Sequence, residues 1–387
     1  MNATRYRLLT QLLTQPTAPF REALVVDFVI KVLTRAGVPH FLDPIGNIVV
    51  GCADARAYRR KLRAARTPVR LFIAHMDHPG FHGLRWRAPN RLVVRWHGGS
   101  PVKHVAGARV WLANGDGYVG AGRLQNVKLH PAGYSIATAD VVLARDARAA
   151  RLADATTLYG GFGFRAPVWR SGKRLYTKAA DDLVGVYAVL ATALDLNRAR
   201  RRADIPFLGL LTRAEEVGFV GAIGHFELGW LTPRDNVVCV SLETSRTLPN
   251  AVIGRGPVVR LGDRRTVFDH GGVNILSEIA RTVLPGRHQR RIMDGGTCEA
   301  TAAIAYGLRA IGLSVPLGNY HNQGFEGGPD CARPEGPAPE FVHLDDIDGL
   351  VTLCGALLRP DLAWDRPWAG QQRIFRQRFR SQRALLR

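Results

Sequence analysis

Apolar and polar positions change their rhythm twice along the chain. In the first stretch, apolar residues recur at helical spacing over Arg5–Thr14 and Arg21–Arg35, the second run ending at Gly37. Strand patterns follow at Ile45–Val50 and Val69–Ala74. From about Leu84 to Ser171 the periodicity shortens. Alternations such as Leu92–Trp96, Val110–Leu112 and Val141–Leu143 are separated by Gly, Pro, Asn and Asp, which predicts strands with tight turns in a small barrel or sandwich. After Lys173 the longer rhythm returns. Leu183, Tyr187, Leu190 and Leu194 fall on one helical face, and further helices are predicted at Phe219–Phe226 and Val273–Leu284. Between them, Ile205–Thr212, Val237–Leu242 and Leu308–Val315 read as buried strands. Strands alternating with helices imply an α/β fold, a doubly wound, mixed and mostly parallel sheet with helices on both faces. The expected organisation is one α/β domain from residues 1–83 and 173–387, interrupted by a β-rich, barrel-like insertion at 84–172.

Length agrees with that division, since 387 residues suit two domains or one with an insertion. Hydrophobic residues at 46% and charged residues at 22% exclude disorder as the dominant state. No apolar run approaches a membrane span, and Met1–Pro16 lacks the layout of an export signal. Cys52, Cys239, Cys298, Cys331 and Cys354 are scattered, with no Cys-x-x-Cys pair. They fit neither a disulfide scaffold nor a thiolate zinc site, and they suit the reducing cytoplasm.

The net charge of +21, with Arg supplying 47 of 53 basic residues, would attract nucleic acid, anionic membrane or acidic peptides. No nucleic-acid motif accompanies it, so a solvated basic surface is the simpler reading; no membrane partner is expected, and nucleic acid is left open only by the Arg-rich tail. The densest patch, Arg366–Arg387, holds seven Arg and no acid. It is either an amphipathic helix with Ile374, Phe375, Phe379, Leu385 and Leu386 as apolar members, or a frayed end.

Five segments carry histidine or paired acids where a predicted strand ends or a helix begins, the edge at which α/β sheets build sites. His75 ends an apolar strand, with Asp77 placed to hold its second ring nitrogen. Asp181–Asp182 precede a helix; one Asp would serve as its N-cap, and the second is left for other work. Glu215–Glu216 follow a buried strand, and adjacent carboxylates diverge, so that one can hold a cation while its neighbour acts as a base. Glu243 ends a wholly apolar strand, which is costly for an unpaired charge. His321 sits in a polar loop after the strand at Leu308–Val315. Singly, each has a plain alternative, such as a turn histidine or an acidic helix start. Together they form a nitrogen and oxygen donor set for two divalent ions, zinc, cobalt or manganese.

In this order the chain resembles the co-catalytic dinuclear metallopeptidases, above all the deblocking and glutamyl aminopeptidases that form tetrahedral particles. The resemblance runs through Asp43-Pro-Ile-Gly46-Asn47, Ala-His75-Met-Asp77 with Gly80-Phe81, and Lys178-Ala-Ala-Asp181-Asp182. Glu215-Glu216-Val-Gly218 and Tyr320-His321 complete it. It implies one metal on His75 and Glu243, another on Glu216 and His321, and Asp181 bridging them. Zinc is the first expectation. Glu215 would be the general base and Asp77 would orient His75. Peptides would be the substrates, the fold would be that of the zinc peptidases, and the chain would form a homo-oligomer through the β insertion.

Four departures fall around the site: His78-Pro79 for an acidic and an aliphatic residue, Gly295-Gly-Thr-Cys298-Glu299 for a Gly-Thr-Asp segment, Asn319 and Asn322 beside His321, and Glu243 for Asp. Two alternatives accompany this reading, an N-acyl-amino-acid deacylase of related fold and a catalytically silent binding or assembly protein. Thiol catalysis by Cys298 has no base partner in the sequence.

Overall fold

The computed structural model describes residues 1–199, 205–232 and 236–386. Helix α1 (Ala3–Thr14) starts at Asn2, whose side chain accepts the Arg5 N–H. Helix α2 (Ala23–Arg35) buries Val25, Val29 and Leu33, a stripe at helical spacing. A hairpin of β1 (His40–Leu42) and β2 (Ile48–Val50) and a helix α3 (Ala55–Ala64) then lead to β3 (Val69–His75), buried along its whole length. The expected strand at Ile45 starts later because Asp43–Asn47 forms a turn in which the Asp43 carboxylate accepts the Ile45 and Asn47 N–H groups.

The next six strands are β4 (Gly80–Ala88), β5 (Arg91–His97), β6 (Arg109–Asn114), β7 (Gly117–Leu129), β8 (Ile136–Leu143) and β9 (Tyr159–Phe162), with a short helix α4 (Arg148–Leu152) before the last. After β10 (Val168–Ser171) and β11 (Arg174–Thr177) the chain enters α5 (Leu183–Arg198), β12 (Phe207–Thr212), α6 (Val220–Glu227) and β13 (Val237–Arg246). It continues through β14 (Val258–Asp263), α7 (His270–Val283), β15 (Gln289–Met293), α8 (Glu299–Ala305) and β16 (Arg309–Leu317). The last elements are β17 (Glu340–His343), α9 (Leu344–Ala356) and α10 (Ala369–Gln382).

Eight strands form the main sheet in the order β1-β2-β12-β3-β13-β16-β14-β15. Its centre, β12-β3-β13-β16, is parallel throughout, while β2 and β14 join antiparallel. Helix α5 packs on β3 with α1 and α9, and α8 packs on β13 and β16 with α6. The α/β expectation holds, with a sheet wider than the pattern predicted. β14 and β15 went unread because β15, Gln-Arg-Arg-Ile-Met, is a polar edge strand without alternation.

The insertion closes as an antiparallel barrel in the order β4-β5-β8-β7-β6-β9, around Phe81, Leu92, Trp96, Leu112, Leu124 and Phe162. Its first strand begins at Gly80. β10, inside the expected insertion, instead pairs with β11, and β11 pairs with β17, in a separate three-stranded sheet. That partner lies far along the chain, where local periodicity cannot signal it. The tail adopts the helical option as α10, with no buried residue; Arg387 lies outside the described residues. No described helix is long and apolar enough to cross a membrane.

Candidate metal centre

Because β3, β12, β13 and β16 run parallel, their C-terminal ends share one edge of the sheet, and the segments leaving those ends converge. His75 is the last residue of β3, Glu215 and Glu216 come after β12, and His321 comes after β16. Glu243 was expected to end its strand. It lies inside β13 instead, because pairing with β16 extends to Arg246 opposite Leu317. Asp181 arrives from the segment before α5. All of these side chains line one cleft of ≈ 560 Å³.

Asp181 stands between the two imidazoles. Its Oδ1 is 3.6 Å from His75 Nε2 and its Oδ2 is 3.6 Å from His321 Nε2. Glu216 Oε2 lies 3.1 Å from His321 Nε2, and Glu215 Oε2 lies 3.8 Å from His75 Nε2. Two sets of donor atoms each fall within 4.8 Å of one another: His75, Asp181 and Glu243 in one, Asp181, Glu216 and His321 in the other. A third set joins His75, Glu215 and Glu216.

The surrounding hydrogen bonds explain why these groups stay in place. Asp182 is the cap, accepting the Gly185 N–H at 3.1 Å and the Thr244 hydroxyl at 2.9 Å, which leaves Asp181 to face the cleft. Asp77 lies with Oδ1 3.5 Å from His75 Nδ1, and its two oxygens accept the Glu215 and Glu216 N–H groups at 3.0 and 3.1 Å. It therefore fixes both an imidazole and the backbone of the Glu pair.

Two further buried acids carry no sequence motif. Glu340, on β17, accepts the Ala180 and Asp181 N–H groups on Oε2 and the His321 N–H on Oε1, at 2.6, 3.1 and 2.9 Å. Glu22 accepts the Ala214 N–H at 3.0 Å and pairs with Arg213 Nε at 2.8 Å, tethering the loop that carries the Glu pair. The Asp43 turn lies apart from the cleft. Its carboxylate meets buried His225 at 2.8 Å and fastens the β1–β2 hairpin to α6.

Burial alone would lower the pKa of His321, yet Glu216 and Asp181 raise it to about 10. His75 is likewise carried well above its ordinary range against its burial, by Glu215, Asp181 and Asp77. Burial pushes Glu243 up to about 7, opposed by Arg260 and His75 and reinforced by Asp181 and Glu216. Glu215 rises well above the usual carboxylate range through burial, helped by Glu243 and Glu216 and opposed by His75. So much buried negative charge around two imidazoles calls for cations. Among the described residues Asp181 Oδ1 and Glu216 Oε1 are buried without a hydrogen-bond partner. These donors, imidazole with carboxylate and no thiolate, fit divalent metal ions.

Residues that depart from the family pattern take definite places around the cleft. His78, held neutral by burial, which pushes it down to about 4, donates Nδ1–H to the Asp181 carbonyl at 2.6 Å. Cys298 is buried, and that burial pushes its thiol up to about 12, which disfavours the thiolate. The barrel reaches the cleft through Gly98–Gly99, just after β5. A Cβ built on Gly99 would stand 2.3 Å from His321 Nδ1, so only glycine permits this approach.

Residues 57–324 match the family model of the M42 glutamyl aminopeptidases. No curated protein matches the sequence. Solved structures share the fold. The TET1 peptidase of Pyrococcus horikoshii aligns with a TM-score of 0.70 and 20% identity over 92% of this chain and 99% of that one. Aminopeptidase APDkam598 from the archaeon Desulfurococcus kamchatkensis gives 0.71 and 19% over 93% and 96%. An M18-family aminopeptidase from Thermotoga maritima gives 0.64 and 12% over 92% and 95%. The deacylase and silent-scaffold alternatives find no support in these matches. With most of its length inside the family match, the chain belongs to the M42 glutamyl aminopeptidases, a dinuclear metallopeptidase family, and is a metal-dependent aminopeptidase acting at peptide N-termini.

Proposed function

We propose that His75, Asp181 and Glu243 hold one divalent ion, that Asp181, Glu216 and His321 hold a second, and that Glu215 is the general base of peptide hydrolysis. The observation that carries this is Asp181, with one oxygen facing each imidazole and Oδ1 otherwise unpartnered. Zinc is the first choice, with cobalt and manganese accepted by the same donors. Bound there, the ions supply Lewis acidity to the scissile carbonyl and lower the pKa of water. Glu215, opening on the cleft, would accept the proton of the attacking water and pass it to the leaving amine. Asp77 keeps the His75 ring in register and so acts as a positioning residue.

The cleft also favours an acidic N-terminal residue. Arg246, Arg260 and Arg265 line it, and Arg260, only 3% exposed, has Nε and Nη1 without hydrogen-bond partners among the described residues. A substrate carboxylate is the complement of such a buried guanidinium. The family description, glutamyl aminopeptidase, agrees. The protein is proposed to work in the cytoplasm, in keeping with five free cysteines, four of them buried. Self-assembly is proposed as well, since one structural relative is a dodecamer and TET1 assembles into a tetrahedron or an octahedral shell.

Glu215→Gln tests the base. The variant should retain two metal equivalents by elemental analysis while kcat falls about 10²–10⁴-fold; retained turnover would sink the assignment. Arg260→Met tests the pocket. It should lower kcat/KM for Glu- and Asp-amides about 100-fold relative to Ala-amide, from the loss of a charge-assisted contact. An equal loss on all three would show that Arg260 serves only to balance Glu243, 3.8 Å away.

A further inference from the structure

Helix α10 serves no purpose in the peptidase centre. Its root is attached to the body: Asn274 Nδ2 donates to the Pro367 carbonyl at 2.8 Å, and Trp368 stacks on His270 with ring centroids 6.1 Å apart. Beyond that root no residue is buried. Phe375 and Phe379 are 55% and 59% exposed, and Leu385 and Leu386 in the following turn are 85% and 79% exposed.

The helix is two-sided. Trp368, Phe375 and Phe379, spaced by seven and four residues, share one side. Arg373, Arg376, Arg380 and Arg383, spaced by three, four and three, line the side next to it. No acidic residue stands between Arg366 and Leu386, and Arg373 to Arg383 form no ion pair among the described residues. An isolated basic helix with bare aromatic residues is unfavourable in water unless something receives both faces.

A second copy of this chain would cover the apolar side, but with 53 basic against 32 acidic residues it offers little acidic surface to these arginines. Nucleic acid would neutralise the arginines but leave Phe375, Phe379, Leu385 and Leu386 in water. An anionic bilayer surface receives both, with arginines among the headgroups and the apolar side in the acyl boundary. The lack of a spanning segment, which set the expectation of no membrane partner, does not bear on a helix lying in the interface.

We infer that α10 is a peripheral anchor that docks the enzyme on anionic lipid bilayers. The test is flotation of the full chain with phosphatidylcholine–phosphatidylglycerol vesicles and with pure phosphatidylcholine vesicles, at about 0.15 M salt. Binding is expected to the anionic vesicles alone. Replacing Arg373, Arg376, Arg380 and Arg383 together by Gln should weaken it about 100-fold or more. The pair Phe375→Ser and Phe379→Ser should weaken it about 10-fold or more. Both variants should keep their hydrolysis of a soluble peptide amide and their native mass by light scattering, which separates a lost anchor from a misfolded chain.

Failure to float with anionic vesicles would overturn the proposal, as would equal binding to neutral ones. So would tight DNA binding that survives the serine pair, which would point to nucleic acid. A fall in native mass on truncation after Asp365, without vesicle binding, would assign the helix to subunit contact instead.

Discussion

The main sheet and the barrel are both closed on apolar cores, yet only one of them gathers chemistry. In the sheet, four neighbouring strands point the same way, so residues separated by long stretches of chain are delivered to one edge. In the barrel every pairing is antiparallel. Successive strand ends therefore alternate between two rims, and polar residues disperse. The direction of the strands, more than composition, decides where a site can form. The barrel enters the chemistry only where a loop, Gly98–Gly99, presses on His321 and the Glu216 side chain.

The sharpest way to break this contrast is to cut the link between the sheet edge and the small third sheet. Glu340 is fully buried and receives three backbone N–H groups from the segments bearing Asp181 and His321. Glu340→Ala leaves those donors unpaired. Metal affinity by titration calorimetry should fall about 10–100-fold, as for other groups that orient ligands. Glu340→Gln, which keeps one acceptor oxygen, should recover part of the loss. If Ala and wild type bind metal alike, the convergence is set by the strands alone.

Gly99→Ala attacks from the barrel side. The new Cβ would meet His321 Nδ1 at 2.3 Å, and either the ring or the loop must yield. Trp96 Nε1 donates to the Gly99 carbonyl at 3.3 Å and resists the loop's retreat. We expect about a 10-fold loss in kcat/KM, since small misplacements at the reacting centre are costly, with Tm lowered by a few degrees through overpacking. An unaltered kcat/KM would leave the barrel with no part in the site.

The same contrast governs how much of the molecule is legible in its sequence. His75, Asp181, Glu215, Glu216 and His321 each succeed or close a strongly apolar strand or precede a buried helix, and Glu243 follows the apolar run Val237–Leu242 within β13, so the local pattern marks them. Asp181 and Asp182 can be separated in sequence only by a likeness to relatives; the structure gives the physical reason, a capping bond from Gly185 to Asp182. Glu340 carries no such mark. It begins a four-residue strand whose partners lie some 165 positions earlier, as Thr177 opposite Glu340 shows, and its role is to accept backbone N–H groups, which no side-chain motif records. Gly99 is silent for a similar reason, because a close approach appears only once two distant segments are packed. β10 falls within the expected insertion because its neighbour β11 is bound to the distant β17, a pairing that the local pattern does not record.

The smallest expected effect sharpens the comparison at the rim where barrel and sheet domain meet. His82, on β4, donates Nε2–H to the Pro19 carbonyl at 2.8 Å, with the His97 ring 4.2 Å away. Burial, with His97 and Arg21 close by, pushes His82 down to about 4. Its folded value thus lies below the ordinary ~6.5 of an unfolded histidine. Between those two values the unfolded chain binds the proton more readily, so stability is retained above pH ~6.5 and lost as the pH falls towards 4. His82→Gln keeps a donor for Pro19 but cannot titrate. It should flatten the acid-side decline of Tm by a few degrees in the metal-free protein, leaving activity at neutral pH as it was. A decline of the same steepness in His82→Gln would mean that the acid sensitivity belongs to the buried cluster at the sheet edge and that this rim is electrostatically idle.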